Sequence, residues 1–139
     1  MREIKYRGKN KDIGWVYGQL VYDINGNTYI IQEVELDSSY GLEETILYAT
    51  MWYRVDKETI GQYTGLHDKN EKEIYEGDIV RVRKWSSFEI EVVKFAKGCF
   101  YAGMHYGSST RSTVKLIQPK LTEVIGNIYE NKELLNETN

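Results

Sequence analysis

The stretch WVYGQLVYDINGNTYIIQEV, residues 15–34, carries the clearest structural signal in the chain. β-Branched and aromatic side chains are frequent on both sides of Asn25-Gly26, and this dipeptide readily adopts the positive φ angles of a tight hairpin turn. The pattern therefore predicts two antiparallel strands, 15–22 and 28–34, joined by a short turn.

Alternation of apolar and polar residues continues through the rest of the chain. Glycine or polar turns separate the further predicted strands, which cover 59–63, 79–85, 88–95, 100–102, 113–117 and 122–129. One stretch, 42–52, could form a helix, although its aromatic residues count against it. Because helices do not alternate with the strands, we predict a mainly β, antiparallel fold.

The arrangement of these strands suggests two parts. Gly77-Asp78 precedes a β-branched strand and a hairpin, a pattern typical of small SH3-like barrels. The prediction is an N-terminal β-hairpin subdomain over 1–58, a C-terminal SH3-like small β-barrel over 59–130, and a C-terminal tail over 131–139.

Composition limits the class of protein. The 139 residues include one cysteine, Cys99, so an intrachain disulfide is impossible and nothing indicates an oxidising compartment. Charges alternate in residues 1–7 with no apolar stretch behind them, so we expect no signal peptide. The longest apolar runs are too short to span a bilayer. We therefore predict a cytoplasmic protein that has no membrane contact.

The net charge of −3 is unevenly distributed. Residues 1–11 carry five basic side chains and one acid, whereas 12–58 carry nine acids and only two cations, Arg54 and Lys57. Such a basic arm either binds nucleic acid or pairs with the acidic segment, within the chain or across a dimer. An excess of aromatic residues is common at interfaces, and here it includes Trp15, Tyr17, Tyr22, Tyr29, Trp52 and Tyr53. We predict a homodimer or larger assembly built mainly through 1–58.

The hairpin that joins 79–85 to 88–95 also has a predicted register. A loop of odd length centred on Ser86 keeps apolar and charged side chains on separate faces. It sets three cross-strand pairs: Val82 with Ile90, Arg83 with Glu89, and Arg81 with Glu91.

A second interpretation of this hairpin is a nucleic-acid surface, because cations bind phosphates and aromatic rings stack on bases. In the predicted register Arg81 and Arg83 have carboxylate partners, which favours a solvated, ion-paired face. The candidate nucleic-acid contacts that remain are Lys84, Trp85, Lys94 and Lys97.

Patterns typical of catalysis are missing. His67 and His105 lack the spacing of a zinc site, and Lys72 occupies a ligand position in the one stretch that resembles a calcium loop. Cys99 with His105 could act as nucleophile and base, but a turn leading into a strand favours a packed thiol. We predict no catalytic residue, no metal ligand and no cofactor.

Several blocks of the sequence resemble the YopX family of phage and prophage proteins. They lie in the family's order and comprise residues 1–9, 15–18, 58–66, 68–70, 73–80, 124–131 and 133–135. Lys132 stands where the family pattern has proline, and 24–52 and 85–120 match no such pattern. The resemblance implies a phage or prophage gene from a Gram-positive bacterium, a mostly β fold and self-association, and it supplies no catalytic residue.

The predicted function is that of a non-enzymatic phage accessory protein, an oligomeric module that binds a phage or host protein in the bacterial cytosol. The first alternative is a protein that binds single-stranded or structured nucleic acid during replication or regulation. The second alternative is a small hydrolase, which would need a concave pocket that gathers titratable groups.

Overall fold

The computed structural model describes residues 1–39, 46–104 and 115–136, and antiparallel strands dominate them. The strands are β1 (Tyr6–Asn10), β2 (Gly14–Tyr22), β3 (Thr28–Asp37), β4 (Ile46–His67), β5 (Glu73–Tyr75), β6 (Asp78–Arg83), β7 (Phe88–Ala96), β8 (Cys99–Met104), β9 (Lys115–Leu116) and β10 (Thr122–Asn127). Short 3-10 helices cover Pro119–Leu121 and Lys132–Asn136. The predicted mainly β, antiparallel fold is confirmed. In the described part of the chain, no helix has both the length and the apolar character needed to cross a membrane.

The chain divides into two compact units. The first unit is Glu3–Gln62, and the second comprises Met1–Arg2 and Tyr63–Asn139. In the first unit β1, β2, β3 and β4 pair antiparallel in that order, and β4 also pairs with β1. In the second unit the end of β4 pairs with β5, and a separate sheet has the order β10-β6-β7-β8-β9.

The predicted hairpin over 15–34 is confirmed in the first unit. β2 and β3 pair from Gln19 with Ile31 to Tyr22 with Thr28, and Gly26 has the left-handed φ of +82° that the turn requires. The apolar side chains that point inward from these strands and from β4 form the core of the unit. Its buried centre is Val16, Ile30 and Val55.

The possible helix over 42–52 is wrong where the structure describes it. Residues 46–52 belong to β4, and residues 42–45 lie outside the described ranges. β4 pairs with β3 along its first half and with β1 further on, so long-range pairing determines its conformation. β-Branched and aromatic residues in this segment fit a strand better than a helix.

Apolar clusters cover both faces of the β6–β7 hairpin in the second unit. One cluster contains Val80 and Val82 of β6 together with Ile74, Val93, Ala102 and Ile117. The other contains Ile79 of β6, Val92 of β7 and Leu135 of the final 3-10 helix. Since successive residues of a strand point to opposite faces, the hairpin is packed on both sides.

The predicted register of this hairpin is wrong. The observed pairs are Val80 with Glu91, Arg81 with Ile90, Val82 with Glu89, and Arg83 with Phe88. The loop between the strands is four residues long, 84–87, and is closed by a hydrogen bond of 2.8 Å from the Lys84 N–H to the Ser87 carbonyl. The prediction assumed one apolar face and one solvated face, but both faces are packed.

The corrected register changes the partner of Arg81. Its guanidinium forms an ion pair with Glu123, which lies directly opposite it on β10, and the predicted partner Glu91 points to the other face. Glu91 is only 2% exposed and lies among the valines of β6 and β7. The hairpin therefore has no continuous solvated face of paired arginines and glutamates.

Candidate functional site

Two of the four predicted nucleic-acid contacts lie at one cavity of the second unit, which has a volume of about 790 Å³. Lys84 and Trp85 lie on its lining, together with the buried carboxylate of Glu91. The Trp85 side chain is fully exposed, whereas the Lys84 Nζ lies 3.6 Å from Oε2 of Glu89. One aromatic ring at this cavity is therefore free to stack, and one cation is already paired.

The other two predicted contacts do not line that cavity. Lys94 lies in β7 directly opposite Tyr101 of β8, and Lys97 lies in the turn between these strands with a left-handed φ of +52°. The structure thus brings Lys84 and Trp85 together and leaves Lys94 and Lys97 elsewhere on the same sheet. Nucleic-acid binding at these four residues stays a prediction.

Of the two residues considered for catalysis, Cys99 and His105, the structure describes Cys99. Cys99 begins β8, and its thiol donates a hydrogen bond of 3.5 Å to the Ala96 carbonyl. Its possible partner His105 lies outside the described residues. Among the residues that the structure describes, no group of three or more His, Cys, Asp or Glu side chains could hold a metal ion.

The polar turn at 68–72 is held by the carboxylate of Asp68, which is 4% exposed. Its two oxygens accept hydrogen bonds from the backbone N–H groups of Asn70, Lys72 and Val124. Burial acts to raise the pKa of Asp68, but these hydrogen bonds outweigh it, so the pKa lies below its ordinary value. The residues that resemble a calcium loop thus fix the turn and attach it to β10.

An apolar surface lies on the ribbon that β3 and β4 form. Val34 pairs with Ala49 and Leu36 pairs with Leu47, so these four side chains share one face, which we call the apolar ribbon face. Val34, Leu36 and Leu47 are 50%, 68% and 63% exposed. Sequence analysis missed this face because the partner strand was not predicted.

The opposite side of the same ribbon contains acidic side chains next to the half-exposed Tyr48 and Ile46. Glu35 lies opposite Tyr48, whose hydroxyl donates a hydrogen bond of 3.0 Å to Oε2 of Glu35, and Asp37 lies opposite Ile46. The hydrogen bond to the Glu35 carboxylate raises the pKa of Tyr48. The ribbon is therefore amphipathic, with its acidic side chains on one face only.

A cavity of about 580 Å³ in the first unit gathers positive charge. Its lining includes Lys9 and Lys11 of the basic arm, and Arg54 and Lys57 of β4. Asp56 is the one carboxylate among the described lining residues. We call this the cationic cavity. The cationic cavity brings Lys9 and Lys11 of the basic arm next to Arg54 and Lys57, which are the only two cations of residues 12–58. The position of these two cations within an acidic segment was the feature of the sequence that could have indicated this site.

Comparison with known proteins agrees with the resemblance found in the sequence. The family model described as YopX protein matches residues 5–136. The crystal structure of protein EF1440 from Enterococcus faecalis is similar, with a TM-score of 0.60 and 23% sequence identity over 97% of this chain and 99% of that chain. No curated protein matches the chain. At this identity the solved structure shows a shared fold, and the family model, which covers nearly all residues, shows that the chain belongs to the YopX family.

Proposed function

We propose that the chain is a non-enzymatic phage or prophage module that self-associates in the host cytosol and binds a protein partner. The observation that carries the proposal is the exposed apolar ribbon face. Large contiguous apolar patches are rare on soluble monomers and mark interaction sites, whereas apolar residues scattered singly do not. An isolated two-stranded ribbon is also marginally stable, so packing against a second molecule would stabilise it.

The surface next to the apolar ribbon face favours a second copy of this chain as the occupant. Ala49 also lines a depression of about 330 Å³ whose other walls include Val21, Tyr29, Ile31 and Trp52. Projecting leucines and an apolar depression thus adjoin on one surface. In a two-fold dimer each copy presents the same patch, so the leucines of one copy can pack into the depression of the other.

The burial available is comparable to the cost of association. Fully covering an exposed valine or leucine gains roughly 1.5–3 kcal/mol, and Val34, Leu36 and Leu47 are 50%, 68% and 63% exposed, so each gains about half to two thirds of that amount. A two-fold contact counts each of them twice, which gives a total of roughly 5–11 kcal/mol against an association cost of about 4–15 kcal/mol, so the adjoining depression has to contribute burial as well. The acidic side chains of the opposite face favour water, so the apolar ribbon face is the side better suited to burial.

Light scattering with adjacent charge substitutions tests this proposal. At tens of micromolar, the protein should have at least the mass of a dimer. Leu36→Lys should convert it to a monomer, because the substitution puts a charge at the centre of the apolar ribbon face. Glu35→Lys is the matched control, since it introduces the same side chain one residue away on the opposite face and should leave the dimer intact.

Two results would contradict self-association through this face. The first is a monomeric wild-type protein at tens of micromolar. The second is equal loss of mass in both variants while circular dichroism shows that both remain folded. The SH3-like barrel form of the second unit and a further protein partner belong to the same proposal, and a pull-down from infected cells with and without nuclease addresses the partner.

A further inference from the structure

We propose that the cationic cavity of the first unit binds phosphate groups, either of a free nucleotide or of a single nucleic-acid strand. The site is distinct from the four contacts predicted on the second unit. Lysine and arginine side chains around a concave surface are the usual ligands of phosphate. A volume of about 580 Å³ lies within the range of small-ligand sites, which is roughly 300–1,000 Å³.

The charge of the cavity comes from separate parts of the chain. Lys9 lies in β1 and Lys11 in the turn after it, whereas Arg54 and Lys57 lie more than forty residues later in β4. The pairing of β1 with β4, in which Lys9 lies opposite Asp56, brings these segments together. Like charges repel, so an arrangement that places four cations beside one carboxylate favours an anionic ligand.

Hydrogen bonds between side chains and backbone fix the walls of the cavity. The Asn10 amide donates a hydrogen bond of 2.8 Å to the Arg54 carbonyl, and the Thr28 hydroxyl donates one of 2.8 Å to the Val55 carbonyl. The Lys9 N–H donates a hydrogen bond of 2.8 Å to the Thr59 hydroxyl. These bonds hold β1, β3 and β4 in position, so the backbone positions that carry the cations are fixed before a ligand arrives.

A chain of hydrogen bonds positions the Arg54 guanidinium. Its Nη2 donates to Oδ1 of Asn27 at 2.6 Å, and the Asn27 amide donates to Oδ2 of Asp23 at 2.8 Å. The hydrogen bond from Asn27, with others from the backbone, lowers the pKa of Asp23 to about 2, so Asp23 is ionised at neutral pH. A guanidinium has five N–H donors, and a single bond to Asn27 leaves others for a phosphate.

The remaining charges of the cavity are also suited to an external anion. In the described ranges Lys11 and Lys57 form no ion pair. The Asp56 carboxylate accepts a hydrogen bond of 3.0 Å from the Glu58 N–H, so it is engaged with the backbone next to it. The basic arm therefore lies beside Arg54 and Lys57 here, and Asp56 is the one member of the acidic segment among the described lining residues.

The test measures binding of inorganic phosphate, a mononucleotide and a fluorescein-labelled single-stranded oligonucleotide to the full-length chain. Lys11→Glu combined with Lys57→Glu should abolish saturable phosphate or nucleotide binding. For the oligonucleotide, two lost phosphate contacts should lower the slope of log K against log salt by about 1.4. If the wild type and the double variant bind equally at 1 M salt, this difference in slope corresponds to at least about a 25-fold loss of affinity at 0.1 M salt.

Lys120→Glu combined with Lys132→Glu is the matched control, because it changes the net charge by the same amount at two exposed lysines of the second unit that belong to neither candidate surface. It should leave the affinity unchanged. Saturable binding of phosphate or nucleotide identifies a free ligand, and binding of the oligonucleotide alone identifies a strand. The proposal is overturned if none of the three probes binds at about 0.05 M salt, where phosphate contacts are strongest. It is also overturned if both double variants weaken binding equally.

Discussion

Replacing Asp68 by asparagine should destabilise the second unit, although the two side chains have nearly the same size. Oδ1 of Asp68 accepts hydrogen bonds from the N–H groups of Asn70 and Lys72, at 2.8 and 2.9 Å, and Oδ2 accepts one from Val124 at 2.9 Å. The asparagine oxygen can keep the first two bonds, but its NH₂ group then faces the Val124 N–H, donor against donor. We expect the free energy of unfolding to fall by about 1–3 kcal/mol.

Alanine at the same position removes all three acceptor interactions. Each buried N–H that loses its partner costs about 1–3 kcal/mol, and some of these groups will find water, so we expect a total of about 3–5 kcal/mol. Urea unfolding followed by circular dichroism measures both values. Asp37→Asn is the control, because Asp37 accepts hydrogen bonds from Ser39 that the asparagine oxygen can still accept, so the substitution should cost less than about 0.5 kcal/mol.

The effect of Asp68 should also depend on pH. Because the pKa of Asp68 is lowered in the folded protein, its ionised form is more stable there than in the unfolded chain. The stabilisation is therefore complete above about pH 4, the pKa of an unfolded aspartate, and is lost as the pH falls through the lowered value. The difference between wild type and Asp68→Asn should shrink over that range. Equal stability of the two proteins at pH 7 would refute the role assigned to this carboxylate.

Three further substitutions test packing and register. Leu135→Ala should lower the free energy of unfolding by about 2–5 kcal/mol in urea, and a change below about 0.5 kcal/mol would show that this side chain is not buried against β6 and β7. Gly18→Ala should lower the free energy of unfolding by about 1–3 kcal/mol in the same measurement, because the added Cβ would clash with the Ile31 carbonyl oxygen unless the backbone shifts. Unchanged stability would contradict that close approach. A double-mutant cycle on Arg81 and Glu123 should give a coupling of about 0.2–1 kcal/mol, and no coupling at low salt would contradict a stabilising ion pair between these two side chains.

The parts of the fold that were predictable depend on local chemistry. The hairpin over 15–34 follows from its turn and from residues within a few positions of it. The register of β6 and β7 does not, because Ile79 is buried in one apolar cluster and Val80 in another. Alternation of apolar and polar residues identifies a strand that has one solvent-exposed face. It gives no information on the register of a strand that is packed on both faces.

The candidate sites show the same limit. The apolar ribbon face needs a partner strand, β4, whose first half overlaps the stretch 42–52 that was predicted as a possible helix in spite of its aromatic residues. The cationic cavity needs the pairing of β1 with β4, which joins residues far apart in the sequence. In each case the sequence shows which residue types are present, but long-range strand pairing determines which residues lie next to them in the fold.

The buried position of Leu135 has a consequence for the order in which the chain acquires its structure during synthesis. Residues 3–62 contain β1, β2, β3 and the part of β4 that pairs with them, so that unit can fold while later residues are still being translated. The face of β6 and β7 that contains Ile79 and Val92 has to wait until residue 135 leaves the ribosome. The proposed self-association of the first unit would then be open to nascent chains on one messenger before the second unit is complete.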